Sequence, residues 1–217
     1  ICDATIALQG AQVLKWAPKG EAPVIWLSTQ SKFALGKSIR GGVPICWPWF
    51  GPHATQPSFP GHGFARTVPW EVLAIEKLSP GDIRLQFRLC HDTHTFTQWP
   101  HKTPVTCQIT VGSRLEVALI TRNDEDMPVR ISEALHTYLA VSDVREVQVS
   151  GLENVEYVDK VDGGQRLRQS GVVTIGNEVD RVYLNTQSEC FVDDAGWQRR
   201  IRIKKEGSQS TIVWNPW

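Results

Sequence analysis

The chain has 217 residues, 41% of them hydrophobic and 21% charged, enough apolar material for one large all-β domain or two small domains. Lys and Arg total 23 and Asp and Glu total 23, so the formal net charge is zero. That balance argues against the broad basic surface that sequence-independent nucleic-acid binding needs, and leaves room for a few Arg gathered around one small anion.

The five cysteines, Cys2, Cys46, Cys90, Cys107 and Cys190, are odd in number, widely spaced and free of any C-x-x-C pair. Reduced structural thiols fit this pattern better than a disulfide framework or a zinc knuckle. The first residues do not read as a signal peptide and no apolar run is long enough to span a bilayer, so a cytoplasmic protein without a membrane partner is expected. The chain opens inside a strand-like run, Ile1 to Leu8, and stops at Trp214-Asn215-Pro216-Trp217; both ends are expected to be cuts through a longer protein.

Period-two alternation or β-branched runs predict strands at Val72–Ile75, Ile83–Leu89, Val105–Val111, Leu115–Thr121, Val144–Val149, Val172–Ile175, Arg181–Leu184, Arg199–Lys204 and Ser210–Trp214. Turn chemistry separates them at Pro80-Gly81-Asp82, Asn123 to Pro128, Asp162-Gly163-Gly164, Asp193 to Gly196 and Glu206-Gly207-Ser208. No window of helical length keeps a 3.6-residue apolar stripe. Many short strands at this spacing predict an all-β sandwich or barrel, read as a single domain over residues 1–217.

One stretch, Ile39 to Trp70, breaks the rhythm. It is rich in Gly and Pro and carries Arg40, Arg66, His62, Trp47, Trp49 and Trp70. A long irregular segment inside a compact β domain is usually functional. Arg40-Gly41-Gly42 sets a guanidinium beside glycines that let backbone approach a ligand, and Gly61-His62-Gly63-Phe64-Ala65-Arg66 repeats the arrangement with an added imidazole. Paired Arg suit a phosphate, because each planar fork donates two hydrogen bonds. Trp47 and Trp49 offer faces for stacking on a sugar ring. The alternative is that the Arg pair with carboxylates and the aromatics are core.

Two further segments carry candidate groups. His136, in the strand-like Glu133-Ala134-Leu135-His136-Thr137-Tyr138, is either a satisfied structural histidine or a general acid/base working near neutrality. Asp180, where a turn enters a strand, either caps that turn or binds a ligand. His91, His94 and His101 show none of the usual ligand spacings, so no metal is expected. A nucleophile elbow, a phosphate-binding Gly-Lys-Ser/Thr loop and a dinucleotide fingerprint are all missing.

In collinear order, Ile39–Pro44 with Trp47–Pro52, His62–Arg66 with Trp70-Glu71, Glu133–Tyr138, Val161–Gly164, Glu178–Tyr183 and Val213–Trp217 resemble the glucose-6-phosphate 1-epimerase branch of the aldose 1-epimerase (galactose mutarotase) family. The resemblance implies a large antiparallel β-sandwich and acid/base chemistry on a small-molecule sugar phosphate, with no metal or organic cofactor. It implies a proton donor at His136, a hydrogen-bonding partner at His62, substrate contacts at Arg40 and Arg66, and sugar-hydroxyl binding at Asp180. Two departures stand out. Gly61 replaces a Gln found in some relatives, and the family's catalytic glutamate falls beyond residue 217, so Glu133, which belongs to its own motif, does not take that role. An impaired enzyme is therefore expected of these residues alone. The alternative is a non-catalytic carbohydrate- or sugar-phosphate-binding module; a glycosidase would need two facing carboxylates, which the sequence does not nominate.

Overall fold

The structure is a computed structural model that describes residues 1–217, the side chain of Ser79 excepted. Backbone contacts divide the chain into two compact units, Ile1–Ala140 and Val141–Trp217.

In the first unit, β1 (Cys2–Ala7) pairs antiparallel with β2 (Gln12–Pro18), with a register shift between Thr5 and Ile6. β2 is buried on both faces apart from Lys15 and ends at a proline, so it shows no alternation by which the sequence would reveal it. Next come β3 (Ile45–Cys46), β4 (Trp70–Ser79), β5 (Asp82–Leu89), α1 (Thr93–Gln98), β6 (Val105–Val111), β7 (Leu115–Thr121) and β8 (Ala134–Leu135). β4 to β7 form one antiparallel meander, and β3 pairs with β8. The predicted strands at Val105–Val111 and Leu115–Thr121 match residue for residue.

Register sets the core. Phe87 lies opposite Cys107, and Cys107 opposite Leu119, so one face of the meander presents a row of apolar side chains. That row packs with Trp47, Trp49, Phe64 and Trp70 from the irregular segment and its exit. The helix α1 was not predicted; six residues are too few for a periodic stripe. A capping box fixes it instead, with Thr95 N–H donating to Asp92 Oδ1 (2.8 Å) and Asp92 N–H to Thr95 Oγ1 (2.9 Å).

The second unit contains β9 (Val147–Ser150), β10 (Glu156–Asp159), β11 (Gln165–Arg168), β12 (Val173–Thr174), β13 (Val179–Tyr183), β14 (Cys190–Asp194), β15 (Arg199–Ile203) and β16 (Thr211–Asn215). Two antiparallel four-stranded sheets result, ordered β11-β10-β13-β16 and β12-β9-β14-β15. The strand expected from Val144 begins only at Val147, because Glu146 N–H closes a turn onto Asp143 O (3.1 Å).

β14 alternates buried and half-buried positions, and its last buried position is taken by a carboxylate, Asp194, only 1% exposed. Ser142 supplies its hydroxyl and its N–H (3.1 Å), Trp197 its N–H (3.3 Å), and the Arg199 guanidinium stands 3.6 Å away. Burial pushes the Asp194 carboxyl up, but these donors and the nearby cation outweigh it and leave the group below its ordinary value. A carboxyl lowered by folding contributes stability above its unfolded-state pKa of ~3.9, lost as pH falls through the folded value. Asp194→Ala, which removes the acceptor of the Ser142 hydroxyl and the carboxylate beside Arg199, is expected to destabilise the protein by roughly 3–5 kcal/mol at pH 7. Urea unfolding should show that difference shrinking below about pH 4; an equal difference at pH 7 and pH 3 would remove the ionised carboxylate from the account.

Candidate functional site

The site is built on backbone rungs within the first unit. His136 N–H donates to Pro44 O (3.0 Å) and Tyr138 N–H to Gly42 O (2.9 Å), while Trp26 N–H donates to Tyr138 O (3.0 Å) and Ala140 N–H to Val24 O (2.9 Å). Residues 134–140 thus run between the segment after Arg40 and the segment at Val24–Trp26. Side chains two apart on an extended segment share a face, so His136 and Tyr138 lie together. Their rings stack, with centroids 4.7 Å apart at 20°. Trp26, the cross-strand neighbour, stacks on Tyr138 at 5.8 Å and 27°.

His62 comes to this place by a different route. Its backbone is left-handed (φ 67°), an uncommon and costly conformation for a residue with a side chain. Gly63 follows at φ 70°, where a Cβ would fall 1.9 Å from Trp47 O. His62 N–H donates to Gly51 O (2.7 Å), and Gly51 N–H donates to His62 Nδ1 (3.2 Å). An Nδ1 that accepts a hydrogen bond carries no proton, so the neutral ring holds its proton on Nε2 as a donor. The His62 and His136 rings are 6.4 Å apart and nearly perpendicular, at 86°, and Phe50 meets His62 edge to face at 4.8 Å.

The two guanidiniums bear on the same group. Burial raises the Tyr138 phenol above its ordinary range, and Arg40 and Arg66 both oppose that rise, so both cations act at Tyr138. Arg40 is exposed and Arg66 half-buried. Arg66 donates through Nη2 to Gly61 O (2.9 Å), while its buried Nε has no hydrogen-bond partner. Burial pushes the nearby Cys46 thiol up to about 11 against a smaller opposing effect of Arg66, so it stays protonated and is no nucleophile at neutral pH.

Holding Arg40 in place is Gln12, which the sequence did not single out. Its side chain is fully buried and Nε2 donates to Gly41 O (2.6 Å) and Ile39 O (3.4 Å). Gly42 is pressed so closely on β2 that a Cβ would lie 2.3 Å from Val13 O. The pairing of Gln12 with carbonyls 27 and 29 residues away leaves no local signature, which is why sequence reasoning missed it. Tyr138 was within reach, since the spacing of two that sets it beside His136 is visible in the motif.

The expectation that Trp47 and Trp49 stack on a sugar is corrected. Trp47 is 0% and Trp49 7% exposed. Trp47 is met edge-on by Phe64, His91 and Trp99, and Trp49 packs on Phe59 and donates through Nε1 to Pro60 O (2.9 Å). Both indoles are core, and neither offers an open face.

Asp180 is the second residue of β13 in the second unit, paired in register with Trp214, with Lys160 Nζ 3.8 Å from its carboxylate. His94 bonds Gln98 within one helical turn (2.9 Å), and His101 meets Glu125, 24 residues on, at 3.2 Å. Glu133 precedes β8 with an exposed side chain; partial desolvation raises its carboxyl, but contact with water keeps that effect limited.

An all-β chain with this site falls in the class of galactose mutarotase-like proteins. A galactose mutarotase-like protein from Lactobacillus casei matches the fold with a TM-score of 0.77 at 14% identity, over 99% of this chain and 80% of that one, a likeness of fold alone. The chain belongs to the aldose 1-epimerase family, whose family model, described as Aldose 1-epimerase, matches residues 1–217. A protein of Escherichia coli (strain K12) named "Putative glucose-6-phosphate 1-epimerase" is 39% identical over 214 residues, 98% of this chain and 70% of the relative. One of the same name from Cenchrus ciliaris is 32% identical over 227 residues, 100% of this chain and 68% of the relative. The crystal structure of a "putative mutarotase" from Salmonella typhimurium gives a TM-score of 0.93 at 38% identity, covering 99% of this chain and 71% of that one. The chain is accordingly an epimerase, an isomerase of carbohydrates.

Gln12→Met, which keeps the volume but removes the donor to Gly41 O, is expected to cost about 1–3 kcal/mol in chemical denaturation. A variant as stable as the parent would show that the buried amide does not hold the Arg40 turn.

Proposed function

We propose that this protein interconverts the α and β anomers of a hexose 6-phosphate, with glucose 6-phosphate as the substrate to test first. The observation that carries the reading is the pair of imidazoles, 6.4 Å apart, one of them stacked on Tyr138, in a chain of the aldose 1-epimerase family. The names of the Escherichia coli and Cenchrus ciliaris relatives point to the same substrate.

In this reading His136 donates its proton to the ring oxygen as the bond from that oxygen to the anomeric carbon breaks. The anomeric hydroxyl gives its proton to a general base, which leaves the open-chain aldehyde. Rotation about the bond next to the carbonyl carbon presents the other face, and closure returns both protons. His62, with its Nε2 proton fixed by Gly51, donates a hydrogen bond to the sugar. Arg40 and Arg66 hold the phosphate or neighbouring hydroxyls through charge-assisted bonds, and Asp180 accepts from sugar hydroxyls. No cofactor enters this scheme, since proton transfer alone opens and closes the ring. The base is the carboxylate that the family resemblance places beyond residue 217, so a polypeptide of residues 1–217 alone is expected to exchange anomers slowly, by about 10²–10⁴-fold relative to a chain extended to include it.

Magnetisation-transfer NMR on glucose 6-phosphate tests this on both polypeptides. Exchange above the spontaneous rate is expected in the extended chain, falling about 10²–10⁴-fold in His136→Ala. Arg66→Ala is expected to raise the half-saturating concentration roughly tenfold or more, the loss of one charge-assisted contact. Sugar phosphate bound without exchange in either chain would favour a non-catalytic binding module; neither binding nor exchange would sink both readings.

A further inference from the structure

We propose that Tyr138 is a positioning residue for His136, fixing the plane of the imidazole through its ring and not through its hydroxyl; the catalytic part of this proposal rests on the epimerase reading above. The geometry gives three independent supports. Tyr138 and His136 stack at 4.7 Å and 20°, a near-parallel contact that resists rotation of the imidazole out of plane. Tyr138 is itself held, since Trp26 stacks on it at 5.8 Å, and Tyr138 O accepts from Trp26 N–H (3.0 Å) while its N–H donates to Gly42 O (2.9 Å). His62 approaches His136 at 86°, so a turn of the His136 ring out of the Tyr138 plane would change its relation to the second imidazole.

The chemistry needs such control. A general acid must aim one ring nitrogen at the reacting oxygen, and a small misorientation removes much of its effect. The backbone rung from His136 N–H to Pro44 O fixes where the residue starts but not the rotation of its ring. The contact is between the faces of the two rings, so removing the hydroxyl should leave positioning intact, whereas removing the ring should not.

The test compares Tyr138→Phe with Tyr138→Leu, using Tyr138→Met where the Leu variant does not fold. The His136 ring signals are identified by their loss in His136→Gln. In the parent and in Tyr138→Phe, the carbon-bound protons of His136 should show the same ring-current shift, and Tyr138→Leu should remove it. The maximal rate of anomer exchange should fall roughly threefold to tenfold in Tyr138→Leu, with half-saturation unchanged, and return to the parent value in Tyr138→Phe. Unmoved His136 signals in Tyr138→Leu overturn the proposal, as does a rate loss shared equally by Phe and Leu, which would assign the role to the hydroxyl. A change confined to half-saturation also overturns it, because Tyr138 would then be a substrate contact. Absence of exchange in the parent protein sinks the epimerase reading and the catalytic part of this proposal with it. The His136 signals still decide, in that case, whether Tyr138 orients the ring.

Discussion

The close approach of Gly42 to β2 is the constraint on which the candidate site depends. With no side chain at Gly42, its backbone lies against Val13, donates to Trp26 O (2.7 Å) and accepts from Tyr138 N–H (2.9 Å). A Cβ at 2.3 Å from Val13 O would push this segment away and break both rungs at once. Arg40 lies two residues before this contact, and the segment bearing His136 and Tyr138 lies one hydrogen bond beyond it. One glycine therefore couples the cationic and the acid/base groups through backbone alone. That is a stiffer connection than side-chain contacts would give, because Gly42 and Tyr138 are each held by two backbone hydrogen bonds.

The irregular segment between β3 and β4 raises a different physical problem. Backbone outside regular sheets has donors and acceptors that lack ladder partners, and each buried one left unpaired is costly. Here buried side chains answer it. Trp49 Nε1 donates to Pro60 O and Trp70 Nε1 to Ala65 O (2.9 Å). Ser132 ties the stretch to the segment before β8, its hydroxyl accepting from Phe50 N–H (3.0 Å) and its N–H donating to Pro48 O (3.1 Å). The indoles thus fill the core and satisfy loop carbonyls together. This explains why an aromatic-rich segment beside the candidate site need not expose its tryptophans there.

What the sequence showed and what it hid follow from the range of the forces involved. β7 was legible because its two faces differ in burial, and β6 because apolar and polar residues alternate along most of it. β2 is buried on both faces and lacks that contrast, whereas β14 alternates in burial but hides it from the sequence by placing Asp194 in its last buried position. The very short β3 and β8 are defined by their pairing with each other, across almost ninety positions of chain, and carry no local pattern. The candidate residues His62, His136, Arg40 and Arg66 stood out because polar groups beside glycines in an apolar context are chemically conspicuous. Gln12 did not, since a single amide in a strand becomes meaningful only when carbonyls far along the chain fold onto it. Burial of Trp47 and Trp49 was equally invisible, because an indole suits a core and a sugar face alike.

The two imidazoles illustrate how this architecture separates roles between identical side chains. His62 sits in a strained left-handed turn, and the backbone N–H of Gly51 occupies its Nδ1, so its neutral form is held as a single tautomer with one donor to offer. His136 lies in a segment held by backbone hydrogen bonds to Pro44 O and Gly42 O, and its ring stacks on Tyr138. Stacking fixes a plane without assigning the proton to either nitrogen. The conformational cost of a left-handed histidine is then understandable: it is the cost of delivering Nδ1 to Gly51, and so of presenting Nε2–H in one direction beside His136.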